Sequence, residues 1–130
     1  MTVMITGLYA ALLVLLSLVL AGLVGATRAR KKTISLGDGG DAELLEAMRR
    51  HANLVEYVPF ALILMALLEI NGGSSTLLHS LGGVLLVSRL IHPFGIRAND
   101  VNRLPRLIGT LGSFGVLIVA AGVLIWGYFG

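Results

Sequence analysis

The sequence predicts an all-α integral membrane protein, a bundle of four transmembrane helices, and three observations carry that prediction. Of 130 residues 56% are apolar and only 13% charged, about half the charged fraction of a soluble domain. The apolar residues gather into four long stretches separated by short polar loops. All ten Lys and Arg residues, at 28, 30, 31, 32, 49, 50, 89, 97, 103 and 106, lie in or beside the first and third of those loops. Too little charge remains to coat a water-facing surface, which excludes a soluble enzyme domain and a nucleic-acid reader. The absence of Cys excludes disulfides, thiolate metal sites and a cysteine nucleophile. The pI of 9.8 then reports topology and no nucleic-acid partner.

The first span covers 4–27. No charged side chain occurs before Arg28, and Leu8 to Gly25 is long enough to cross about 30 Å of hydrocarbon. The cations follow the apolar stretch instead of preceding it, so it is an anchor and not a signal peptide. Gly37-Asp38-Gly39-Gly40 forms a turn; it lacks the Gly-Lys-Ser/Thr ending of a phosphate loop and the acidic spacing of a calcium loop. Asp41 is placed to cap the second helix, whose span covers 44–70 and contains Pro59, a kink site. Asn71 to Ser75 makes an uncharged turn into a third span, 76–92, only about 26 Å long by the helical rise. Pro93 and Gly95 end it, and Pro105 opens the fourth span, 105–128. The whole chain, 1–130, reads as one membrane domain. The charge bias puts both basic loops in the cytoplasm, and both termini outside, of a cell (inner or plasma) membrane.

Polar groups enter the second span in a pattern. On a helical wheel with Arg49 at zero, Asn53 lies at about 40° and Glu56 at about 340°, one narrow stripe with Tyr57 on its flank. Ionisable groups at this depth are costly unless they face protein or a wet cavity, so the stripe either bonds to neighbouring helices or lines a pocket. Arg89 and His92, three residues apart on the third helix, lie at the same depth. Arg103 and Arg106 open the fourth helix against its macrodipole and invite an anion. His51, His79 and His92 share no metal-ligand spacing, so no metal site is expected. Glu69 reads as interfacial, without a role. Small residues recur in span one (Ser17, Ala21, Gly25) and crowd span four (Gly109, Gly112, Ser113, Gly115, Gly122), a pattern of close helix packing. Four helices enclose little space, so a sizeable polar ligand would sit between protomers of an oligomer.

The run Arg49-Arg50-His51-Ala52-Asn53-Leu54-Val55-Glu56-Tyr57-Val58-Pro59 resembles the second-helix signature of the MAPEG family, the membrane-associated proteins in eicosanoid and glutathione metabolism. The Gly-Asp-Gly-Gly loop before it and Arg89-Leu90-Ile91-His92-Pro93-Phe94-Gly95 after it resemble the bacterial branch. The resemblance implies a homotrimer that binds glutathione between neighbouring subunits near the cytoplasmic face. It implies glutathione-binding roles for Arg49, Asn53, Glu56, Tyr57, Arg89 and His92, with Glu56 suited to the amino group and Arg49 to a carboxylate.

A glutathione transferase or peroxidase-like enzyme needs a thiolate, and a thiol of pKa about 8.5 is only about 3% ionised at pH 7. A guanidinium lowering that pKa by ~2 units brings the thiolate to roughly three-quarters. Arg103 is the first candidate for this catalytic role and Arg106 the second, since the motif around Pro105 aligns either way. The activated sulfur would attack a lipophilic electrophile or hydroperoxide arriving from membrane lipid. Members resembling leukotriene synthase carry third-helix tyrosines where this chain has His92 and, one turn on, Ile96. Two alternatives stand beside the enzyme: a non-catalytic lipid-binding or scaffold trimer, and a small four-span exporter, whose usual first-helix carboxylate this chain lacks.

Overall fold

A computed structural model describes residues 2–32, 34–101 and 103–130. The spans expected from hydropathy appear as four helices: α1 (Met4–Lys31), α2 (Ala42–Ile70), α3 (Ser75–Ile91) and α4 (Leu104–Phe129). A 3₁₀ turn, His92–Gly95, extends α3 where Pro93 interrupts α-helical hydrogen bonding. All four are long and apolar enough to cross a membrane.

The helix ends follow local chemistry. Asp41 caps α2 as expected, its Oδ1 accepting from the Leu44 amide at 2.9 Å. α1 continues four residues beyond its apolar span because its cations find partners at the start of α2. Lys31 pairs with Asp41 at 2.8 Å and Glu43 at 3.1 Å, and Arg30 with Glu43 at 2.7 Å. The Lys31 ammonium and the Leu44 amide together hold the Asp41 carboxyl below the usual carboxylate range. Between the helices, Arg28 Nη1 donates to the carbonyls of Ile34, Ser35 and Gly37, gathering the loop that turns at Gly37, Gly39 and Gly40. Ser74 caps α3. Pro105 stands in the first turn of α4.

Glu69, which the sequence left without a role, holds the far end of the bundle. Its two carboxylate oxygens accept from the amides of Ile5 and Thr6, at 2.9 and 2.8 Å, satisfying orphan donors at the N-terminus of α1.

α1 packs on α2 and α3, and α4 on α2 and α3, so α1 and α4 stand at opposite corners. The core is a thin apolar column: Leu13 and Leu20 of α1, Leu54, Val58, Ala61, Met65 and Leu68 of α2, Leu78, Leu81 and Leu85 of α3, and Val116 and Ala120 of α4. Large apolar side chains cover the outside, with Leu15, Phe60 and Ile118 each more than half exposed. In water such a surface would aggregate; in hydrocarbon it is the solvated face. The small residues of α4 divide by partner. A Cβ on Gly109 would lie 2.5 Å from His92 Cβ, and one on Gly112 would strike the Ser88 side chain, whereas Gly115 and Gly122 face open space. A Cβ on Gly22 or Gly25 of α1 would likewise meet no atom within 4 Å.

Candidate functional site

The polar stripe on α2 forms at the basic end of the bundle and meets α3 and α4 there. Arg49 and Glu56, two helical turns apart on one face, form a loose ion pair at 3.4 Å, each side chain about half exposed (51% and 48%). Asn53 lies between them in the sequence and turns inward.

Arg89 is the largest fully buried side chain, 1% exposed. Its guanidinium is committed to partners within the chain. Nε donates to Ser113 Oγ at 2.7 Å, Nη1 to Asn53 Oδ1 at 2.8 Å, and Nη2 to the Gly109 carbonyl at 3.1 Å and to Ser113 Oγ. Ser113 in turn donates to the Gly109 carbonyl. The Tyr57 ring lies 5.6 Å from the guanidinium carbon, within cation–π range, and tilts against Phe114. A charge so deep in a lipid-facing bundle is tolerable only because every guanidinium nitrogen finds an acceptor. The crowding of small residues on α4 thus has a local cause: Gly109 lets α3 approach, and Ser113 receives the arginine.

In front of this buried knot lies a cavity of about 190 Å³ lined by Leu45, Glu46, Arg49, Asn53, His92, Ile96, Arg97, Ala98 and Arg106. The structure therefore brings four of the residues singled out from sequence to one space: Arg49, Asn53, His92 and Arg106. Glu56 borders it through its pair with Arg49. Arg89 and Tyr57 do not line it; Arg89 reaches it only by holding Asn53. The two candidate catalytic arginines separate. Arg106 lines the cavity, its backbone nitrogen pressed against Gly95 so closely that a Cβ there would collide. Arg103 stands outside it as the N-cap residue of α4 and pairs with Asp100 at 3.4 Å, so the anion it invites is supplied by its own loop.

Sequence reasoning missed the wall of the cavity formed by the third loop. Glu46 accepts from the Ala98 amide at 3.0 Å, Arg97 at 2.9 Å and Arg50 at 3.0 Å, while Arg50 also donates to the Ile96 carbonyl at 3.2 Å. The spacing of Glu46 and Arg50 on one helical face was the available signal. Among the described residues no group of three His, Asp or Glu side chains is placed to hold a metal ion.

Four membrane-length helices in one bundle define the class of fold, and the match within it is direct: the model of the MAPEG family fits residues 6–126, and the chain belongs to that family. It is similar to the inner membrane protein YecN of Escherichia coli (strain K12), 41% identical over 92 residues that cover 71% of this chain and 70% of YecN. YecN of Escherichia coli O6:H1 matches to the same extent. No solved structure matches the chain significantly. The protein is an integral membrane protein of the bacterial type within its family.

Proposed function

We propose that this protein binds glutathione in the cavity at the basic end of the bundle and ionises its thiol for attack on a lipophilic electrophile or hydroperoxide. The observation that carries the reading is the convergence of Arg49, Asn53, His92 and Arg106 on one cavity beside the half-exposed Arg49–Glu56 pair. A solvent-exposed ion pair is worth no more than about 1 kcal/mol, so opening this one costs little. Its two halves then offer a carboxylate to the peptide's amino group and a guanidinium to one of its carboxylates. Arg106 is the residue we assign to the thiol: a guanidinium against the sulfur stabilises the thiolate, and proton loss to solvent leaves a nucleophile facing the membrane.

Arg49 and Glu56 are open on their outer side, which fits a second protomer completing the wall; we propose a homotrimer with the cavity between subunits. The basic end then faces the cytoplasm, by the distribution of Lys and Arg. The test is saturable glutathione binding by the purified protein in detergent, lost in Arg49→Ala and in Glu56→Ala. Absence of binding at millimolar glutathione overturns the reading in favour of a non-catalytic lipid-binding or scaffold trimer.

A further inference from the structure

We propose that the seam between α1 and the end of α3 binds an anionic glycerophospholipid, its phosphate held by Arg50 and Arg97 and an acyl chain laid in the groove between the helices. The groove has a volume of about 310 Å³, with Leu16, Leu20 and Leu23 of α1 facing Leu90, Pro93 and Phe94. Val19, Arg50 and Arg97 complete its lining, and among these described residues the two arginines carry the charge.

The charge balance at this site is unequal. Glu46 pairs with both arginines, at 3.0 and 2.9 Å, and one carboxylate against two guanidiniums leaves one positive charge in excess. Arg97 is half exposed. Nε of Arg50 is buried without a hydrogen-bond partner, a donor that a small turn of the guanidinium would bring to an acceptor at the rim. A cation over an apolar trough, at the end of the bundle where the basic loops meet the headgroups, matches a phosphate that carries an acyl chain. Inorganic phosphate would gain only the head of the site. A zwitterionic lipid brings its own ammonium and gains less from the excess charge. Phe94, 75% exposed, stands at the rim. The seam opens between α1 and the end of α3 and adjoins the cavity at Arg97, which lines both spaces.

The experiment is native mass spectrometry of the full chain in detergent, with phosphatidylglycerol and phosphatidylethanolamine in competition. We expect the wild type to retain phosphatidylglycerol with about fivefold preference, the factor one net cation at the headgroup level provides. Arg97→Gln should abolish the preference. Leu23→Trp, which fills the trough and leaves the charges, should reduce retention of phosphatidylglycerol. A preference that persists in Arg97→Gln, full retention in Leu23→Trp, or equal thermal protection by inorganic phosphate alone overturns the proposal.

Discussion

The Arg89 guanidinium reaches across the bundle to the Asn53 carboxamide at 2.8 Å, joining the third helix to the polar stripe of the second. The bond occupies the amide oxygen of a residue that lines the cavity, so an arginine outside that lining holds Asn53 in place. The same guanidinium depends on Ser113. Hydrogen bonds between membrane helices average only about 0.6 kcal/mol, because alternative partners exist, but a buried charged donor without one costs more. Ser113→Ala should destabilise the protein by about 1–3 kcal/mol, read as a lower thermal midpoint in detergent. An unchanged midpoint would mean that Arg89 finds another acceptor.

The separation of Arg103 from Arg106 yields a second expectation. With glutathione bound, Arg106→Ala should return the thiolate fraction at pH 7 from roughly three-quarters toward about 3%, followed by ultraviolet thiolate absorbance against pH. Arg103→Ala, which removes a partner of Asp100, should leave that titration in place. The reverse result would move the thiol to the loop.

Close approach of α4 to α3 is tested by glycine. Gly109→Ala places a methyl against His92 and the Ser88 carbonyl and should cost about 1–3 kcal/mol by overpacking. Gly115→Ala meets open space and should be neutral in the monomer. Comparing the two thermal midpoints checks this, and equal effects would contradict the packing.

The Glu69 clasp is a cap supplied from another helix. Glu69→Ala should cost about 1–2 kcal/mol and speed hydrogen exchange at the Ile5 and Thr6 amides, while Glu69→Gln keeps one acceptor and most of the protection.

Asp41 gives a pH dependence. Its folded pKa lies below the unfolded value near 4, so its contribution is fully present above that pH and fades as pH falls through the folded value. Asp41→Asn keeps the capping oxygen but cannot titrate. Its thermal midpoint should therefore fall less steeply than that of the wild type as pH is lowered below about 4.

The spans were legible because hydrocarbon demands long uncharged helices, and the Asp41 cap because its bond is made three residues away. The convergence of Arg89 and His92 with the α2 stripe was legible as a shared depth. Depth does not give direction, however. Whether Arg89 enters the core or the cavity is decided by Ser113, 24 residues away, and the choice between Arg103 and Arg106 by Asp100 and Gly95. Glu69 was opaque for the same reason: its partners lie 63 and 64 residues upstream, where no local pattern points.

The hairpin of α1 and α2 is fastened at both ends, by Lys31 and Arg30 to Asp41 and Glu43 near the loop and by Glu69 to the opening turn of α1. Exchange of the first helix between neighbouring copies would have to sever both fastenings. Both would re-form in an exchanged pair, so the fastenings slow such a domain swap without altering its final contacts.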